Sequence, residues 1–221
     1  MMRTNLATGL DRLTTDLLAL GGMVDKALAK AVDALKRRDL EASSQVIRED
    51  DLIDRQCELL EERAIDLIAS HQPMARDLRR LITIVHVAEE LERMGDYAEG
   101  IAKISLMMGE EPTLKPLIDI PRMLEKASDM LRRSLDALVT RDTIGARAVC
   151  EADDEVDDLY DQVYHELLTY MLQDPSTIQR ATYLLWAAHD LERAADRATN
   201  IAERVIYQET GSLNGANISR N

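Results

Sequence analysis

The chain has 221 residues, 46% of them hydrophobic, with no phenylalanine, one tryptophan and a net charge of −14. That apolar share can fill a substantial core, which excludes a disordered chain. The charge excludes a duplex-binding protein, which needs a cationic surface to displace counterions, so no nucleic acid is expected as a partner. Ala, Leu and Met dominate the apolar set beside many Glu, Lys, Arg and Gln, all helix formers. Nine glycines and five prolines are few, and the fold class predicted is all-α.

The first predicted helix runs from about Leu6 to Arg38, with Leu17, Leu20, Val24, Leu28, Ala31 and Leu35 at helical spacing. Asp39 is the expected N-cap of a second, which reaches about Ser70 through Val46, Ile53, Leu60, Ala64 and Leu67. Pro73 is expected to open a third helix ending near Met108, because proline is tolerated in a first turn. The pattern then restarts: Met123 to Arg141, Asp142 to about Leu172, and Pro175 to about Tyr207. The division expected is a first three-helix bundle over 1–109, a linker over 110–121 and a second bundle over 122–209, followed by a disordered tail over 210–221. Helices of about 30 residues are about 45 Å long, which suits elongated antiparallel bundles.

The two halves are copies. Residues 91–103 and 191–203, LERMGDYAEGIAK and LERAADRATNIAE, agree at seven of thirteen positions. DALKRRD at 33–39 matches DALVTRD at 136–142, and Asp50-Asp51-Leu52-Ile53-Asp54 matches Asp153-Asp154-Glu155-Val156-Asp157. Three matched segments in one order mean an internal repeat, and two tandem bundles related by a pseudo-twofold.

The cysteines, Cys57 and Cys150, sit in helical stretches without a C-x-x-C pattern, the usage of a reducing compartment. Nothing resembles a signal peptide and no apolar run approaches the roughly 18 residues of a membrane span. A cytoplasmic protein is expected, reaching a membrane only through partner proteins.

The repeated acids carry the chemical interest. Glu92/Asp96 and Glu192/Asp196 are i, i+4 pairs on the third helix of each copy, and Asp50/Asp54 and Asp153/Asp157 are i, i+4 pairs on the second. Like charges at that spacing cost a helix roughly 0.2–0.5 kcal/mol per pair. If the pairs of one copy face each other, four carboxylates converge and need cations. Those cations are arginines such as Arg93, Arg193 and Arg197, the ordinary fate of surface acids, protons, or metal ions. An all-oxygen set suits Fe, Mn, Mg or Ca, with Zn less typical. A ferritin-like di-iron oxidase is disfavoured, since that class carries Glu-x-x-His and only the reverse order, His189 to Glu192, occurs. His86, which corresponds to Trp186, and His71 and His165 show no ligand spacing. No nucleophile elbow or phosphate-cradling glycine loop occurs, so no enzymatic activity is indicated.

The paired E-x-x-x-D motifs in LERMGDYAEGIA and LERAADRATNIA, with HQPMARDLR, DDEVDDLY and ALGGMVDKALAKAVDALKRRD, resemble those of the PhoU family over all but the last dozen residues. The resemblance implies two symmetric three-helix bundles without enzymatic activity that form homodimers or higher oligomers. It implies a phosphate-signalling adaptor connecting the ATPase subunit of the phosphate ABC transporter to a sensor histidine kinase, keeping the phosphate regulon off when phosphate is plentiful. It also implies multinuclear iron or zinc clusters, with no organic cofactor. Asp50, Asp54, Glu92 and Asp96 would line the first, and Asp153, Asp157, Glu192 and Asp196 the second, with Asn200 as a carbonyl ligand. Glu99 stands where members often have Asp, and Gly100 gives the first copy no match to Asn200, so the two sites are expected to differ. Two rival readings are a carboxylate-rich metal-storage protein and a metal-free helical scaffold.

Overall fold

The computed structural model of the chain describes residues 2–109 and 111–212; the predicted tail over 210–221 thus lies largely outside the described residues. Seven helices follow in order: α1 Met2–Arg37, α2 Leu40–His71, α3 Ala75–Met108, α4 Asp119–Thr140, α5 Thr143–Ala152, α6 Asp154–Gln173 and α7 Ile178–Thr210. Among the described residues there is no strand. The fifth predicted helix is two helices in end-to-end array. Asp153 between them keeps right-handed helical dihedrals, φ −61° and ψ −40°, so α5 and α6 form one rod with an interrupted hydrogen-bond ladder. Six rods result, three from each copy.

The helix ends follow local chemistry. Asp39 and Asp142 cap α2 and α5, their side chains accepting from the amides of Ala42 and Ile144, which satisfies donors that lack an intrahelical partner. The residues before them, Arg38 and Arg141, are left-handed at φ 62° and 60°. Arg38 from that position donates to the carbonyl oxygens of Met108, at 3.2 Å, and Glu111, closing the C-terminal end of α3. Pro73 stays outside α3. Gln72, before the proline, turns left-handed and donates its N–H to Ile68 O, since a residue preceding proline resists right-handed helix. Pro175 opens a single 3-10 turn, Pro175–Thr177, ahead of α7. Pro121 falls inside the first turn of α4, where a missing N–H costs nothing.

Helix α1 packs on α2 and α3, α4 packs on the α5/α6 rod and α7, and α3 and α7 meet across the middle. These two run antiparallel: Arg79 meets Gln208, Glu90 meets Arg197, and Gly100 meets Asp190. Behind them α1 touches α4 at Gly21, where a Cβ would stand 2.4 Å from Leu135 Cδ1. The two bundles therefore share one continuous core. Leu17, Leu20, Val24, Leu28, Ala31 and Leu35 of α1 are fully buried, each large one worth about 1.5–3 kcal/mol of transfer free energy. Helix α7 buries Ala187, Ala188, Ala194, Ala195, Ala198 and Ala202 completely, small side chains that allow α3 and α4 to approach. Lys115, in the segment joining the bundles, bonds Asp119 at 3.3 Å and also Glu166, tying that segment to the second bundle.

Candidate functional site

Because α1 and α4 cover the back of each bundle, the crease between α2 and α3 and the crease between α6 and α7 open on the other side. The repeated acids line these two creases. In the first, Ile53, Leu91 and Ala98 point into the core and leave Asp50, Asp54, Glu92 and Asp96 on the facing stripes. Gly95 lets the helices close here: a Cβ would stand 3.1 Å from Ile53 Cγ2 and 3.2 Å from Asp50 Oδ1.

The carboxylates feel one another. Burial, with Asp54, Glu99, Asp96 and Glu92 nearby, pushes the Asp50 carboxyl up to about 6. Burial and then Asp96 raise Asp54, whose Oδ1 is buried without a hydrogen-bond partner. Glu92 is raised by burial and by Asp96 against the opposing pull of Arg93. Arg93 lies 3.2 Å from Asp96 and 3.5 Å from Glu92, and Lys103 lies 2.5 Å from Glu99. An open groove of about 580 Å³ continues from this crease, lined mainly by Asp54, Glu58, Glu61, Glu89 and Glu92, with Arg197 at its edge. Cys57 in that groove is pushed up to about 11, by burial first and then by Glu92, so it is a thiol and not a reactive thiolate. A wider hollow of about 720 Å³ along α1, lined by Asp11, Arg12, Asp16 and Arg63, holds no such convergence of like charge.

The second crease repeats the pattern at the α5/α6 junction. Burial, with Asp157, Asp196 and Glu192, pushes Asp153 up to about 7. Glu192 rises to about 7, by burial and then Asp196, and its Oε2 is buried without a partner. Burial and Asp196 also raise Asp157. Arg193 lies 2.6 Å from Asp196. A carboxyl pushed up in this way prefers its protonated form or a bound cation.

Eight of the nine residues predicted from sequence thus line the two creases. The ninth, Asn200, does not: its Nδ2 donates to Glu90 Oε2 at 3.1 Å, beside Arg197 Nη1 at 3.3 Å. Eight residues past Glu192 a helix has turned about 80° off the stripe, toward α3; seven residues past, it has turned back by only about 20°. The positions on the stripe are therefore Glu99, which joins the first crease, and Thr199, whose Oγ1 is buried without a partner. The sequence already places Glu99 close to the Glu92/Asp96 stripe, and the same heptad spacing from Glu192 was the signal that could have found Thr199. Arg197, expected among the acids of its own copy, crosses the α3/α7 seam to Glu90.

The donors suit a hard cation: carboxylate oxygens from two facing helices, mutually repelling, with Asp54 Oδ1 and Glu192 Oε2 unpartnered. Among the described residues, however, no three Asp, Glu, His or Cys groups already stand as a metal-binding set. The residues fit such a group in chemistry and in placement along each crease, and binding would require the side chains to turn inward.

This arrangement defines a duplicated all-α protein with two like carboxylate creases on one side. Comparison with known proteins identifies the family. The PhoU domain model matches twice, at residues 17–105 and 120–205. The chain is 40% identical over 204 residues to a phosphate-specific transport system accessory protein PhoU homolog of Aquifex aeolicus, covering 92% of each chain. It is 37% identical to the Clostridium acetobutylicum homolog, covering 96% of this chain and 97% of that one. The crystal structure of PhoU from Pseudomonas aeruginosa superposes with a TM-score of 0.88 at 34% identity, over 93% of this chain and 99% of that one. The phosphate transport system regulatory protein PhoU from Streptococcus pneumoniae gives 0.87 at 31% identity, over 94% and 98%. The chain belongs to the PhoU family.

Proposed function

We propose that this protein is a cytoplasmic, non-enzymatic regulator of phosphate uptake. It would act as an adaptor between the ATPase subunit of a phosphate ABC transporter and a sensor histidine kinase, holding phosphate-starvation genes off when phosphate is sufficient. The transport-system names of its relatives support the transporter side. The observation that carries the adaptor reading is the presentation of two like creases on one side of a shared core, a surface suited to protein association. No helix of the described residues is long and apolar enough to cross a membrane, in keeping with docking through partners. An adaptor shifts a kinase only by binding its two states unequally. Here that difference would come from a transporter-bound surface that favours the non-signalling kinase.

Multinuclear iron or zinc at Asp50, Asp54, Glu92 and Asp96, and at Asp153, Asp157, Glu192 and Asp196, forms part of this reading, as does assembly into a homodimer or higher oligomer. Bound metal would add positive charge beyond that of Arg93, Lys103 and Arg193. The protein's own part is to hold the acids on opposed helices backed by Ile53, Leu91, Val156 and Leu191.

Deletion of the gene should raise phosphate-starvation gene expression in high phosphate, and the wild-type gene should restore repression. Unchanged expression in the deletion strain would refute the proposal. Elemental analysis of untagged protein tests the metal component: iron or zinc present in the wild type should be lost from a Glu92→Ala/Asp96→Ala/Glu192→Ala/Asp196→Ala variant.

A further inference from the structure

Near one end of the molecule, helices of both bundles border a cavity of about 300 Å³, room for roughly ten waters. Its polar lining comes from Asp11 and Thr14 of α1, Arg80 of α3, Arg141 at the end of α4 and Gln208 of α7. On a chain of net charge −14, the contacts at this corner gather four arginines against two carboxylates. Arg76 lies 3.3 Å from Glu209, Arg79 donates to Gln208 O at 3.4 Å, Arg80 lies 3.3 Å from Asp11, and Arg141 lies 3.9 Å from Glu209.

The internal repeat shows what folding asks of these positions. Offset by 103 residues, Arg141 corresponds to Arg38, and both are left-handed. Arg38 donates to Met108 O at 3.2 Å and to Glu111 O. The carbonyl matching Met108 O, at an offset of 100, is Gln208 O, and Arg79 takes it instead. Arg141 is left with a carboxylate at 3.9 Å, too long for a hydrogen bond. Gln208 also departs from the repeat, since Met stands at 108, so the fold does not require a polar side chain there. Gln208 is 3% exposed. Its Nε2 donates to Glu209 Oε1 at 3.3 Å, and its Oε1 has no hydrogen-bond partner. A buried acceptor without a donor is destabilising, and a ligand proton would satisfy it.

These groups define the ligand. Two guanidinium groups select an oxyanion. Two acceptors, the Asp11 carboxylate and Gln208 Oε1, select an oxyanion that still carries a proton. Near neutral pH sulfate carries none, and its oxygens would stand against Asp11. Phosphate keeps at least one proton there, and so offers acceptors and a donor together. We infer that this cavity binds inorganic phosphate, Arg80 and Arg141 holding its anionic oxygens while its hydroxyl donates to Asp11 or Gln208. Helices α1 and α3 belong to the first bundle and α4 and α7 to the second, so the ion bridges the two. The inference goes beyond the adaptor reading, which requires no small ligand, and gives it an effector.

Equilibrium dialysis of the full chain against radiolabelled phosphate, and separately against radiolabelled sulfate, is the test. The expected result is saturable binding of one phosphate per chain, with sulfate about tenfold weaker or more, and a Tm that rises with phosphate concentration. Arg80→Gln and Arg141→Gln should each weaken phosphate binding about tenfold or more, the loss of a charge-assisted hydrogen bond. Two variants keep the test decisive where one folds poorly by circular dichroism. Arg180→Gln, at the position matching Arg80 in the second copy, should leave the affinity unchanged. Asp11→Asn should narrow the preference for phosphate, because an amide can donate to either ion. Asp50→Asn/Asp54→Asn/Asp153→Asn/Asp157→Asn should bind phosphate as the wild type does, which separates the cavity from any metal in the creases. No binding at millimolar phosphate, equal affinity for sulfate, unaltered affinity in folded arginine variants, or loss of binding in the crease variant would overturn the proposal. Such a failure leaves the regulatory reading standing, because that reading is decided separately in the deletion strain.

Discussion

Replacing Asp153 by Asn tests whether the second crease stores electrostatic strain. Asp153 makes no capping hydrogen bond with its side chain, so Asn keeps the shape and removes only the charge. Its carboxyl stands at about 7 against an ordinary 3.8, by burial and then Asp157, Asp196 and Glu192. A carboxyl whose pKa is higher in the folded chain holds its proton more tightly there. Its favourable contribution is whole below about pH 4 and is lost as pH rises through about 7. Three pH units correspond to about 4 kcal/mol, and water around the exposed Asp157 screens about half of it, leaving about 2 kcal/mol. In chelator-treated protein the variant should be more stable than wild type at pH 8 by about 1–2 kcal/mol, or roughly 2–8 °C in Tm for a chain of this size. At pH 5 the difference should shrink to less than half of that, because the unfolded carboxyl is already ionised there, and it should vanish below about pH 4. Paired thermal unfolding at the two pH values is the assay. An equal effect at both, or a lower Tm for the variant at pH 8, would show that the crease is not strained by charge.

Four further outcomes follow from the packing. Adding a divalent metal at pH 8 should raise the wild-type Tm and leave Asp50→Asn/Asp54→Asn/Asp153→Asn/Asp157→Asn unmoved, with calorimetry as the readout. Lys115→Met removes the cation between buried Asp119 and Glu166 and should cost about 3 kcal/mol; adding Asp119→Asn should recover most of it in denaturant unfolding. Ser43 and Ser105 share a buried hydrogen bond of 2.9 Å. Either single Ala variant should lose about 1 kcal/mol, while the double variant loses less than the sum, because no orphaned hydroxyl remains. Leu91→Ala, at a fully buried position backing the first crease, should cost about 2–5 kcal/mol, with the urea midpoint shifting accordingly.

The rods were legible because their signals are local. Leucine and valine at three- and four-residue spacing mark the buried face of α1, and Asp39 lies at the cap where its side chain bonds an amide. Duplication made the acid pairs legible, since chance does not repeat two i, i+4 pairs on two helices in the same order. What the sequence hid depends on approach between distant segments. Heptad spacing favours Thr199 over its neighbour Asn200 for the crease, but only the antiparallel seam of α3 and α7 shows that Asn200 turns to Glu90. The Glu90–Arg197–Asn200 cluster joins residues 107 to 110 positions apart. The interruption at Asp153 breaks a ladder without changing the dihedrals, and no residue type signals that. Pro73 and Pro175 were expected to open helices in the same way, yet one follows a left-handed Gln72 and the other starts a 3-10 turn.

The differences between the copies carry as much information as their likeness. Strict symmetry would give two interchangeable faces and leave partners no means to tell them apart. Instead, the first crease carries Gly95 and Glu99 and opens into a groove rich in acids, including Glu58, Glu61 and Glu89. The second carries Ala195 and Thr199 at the corresponding positions. The seam joins them unequally, since Glu90 has Arg197 and Asn200 as partners while its counterpart Asp190 meets Gly100 across the same gap. Each substitution preserves the rod it sits on, so none is demanded by folding. They alter charge and apolarity on the side of the molecule that α1 and α4 leave open. The adaptor role proposed above would use this asymmetry: one scaffold built twice, with its two faces differing by a handful of side chains.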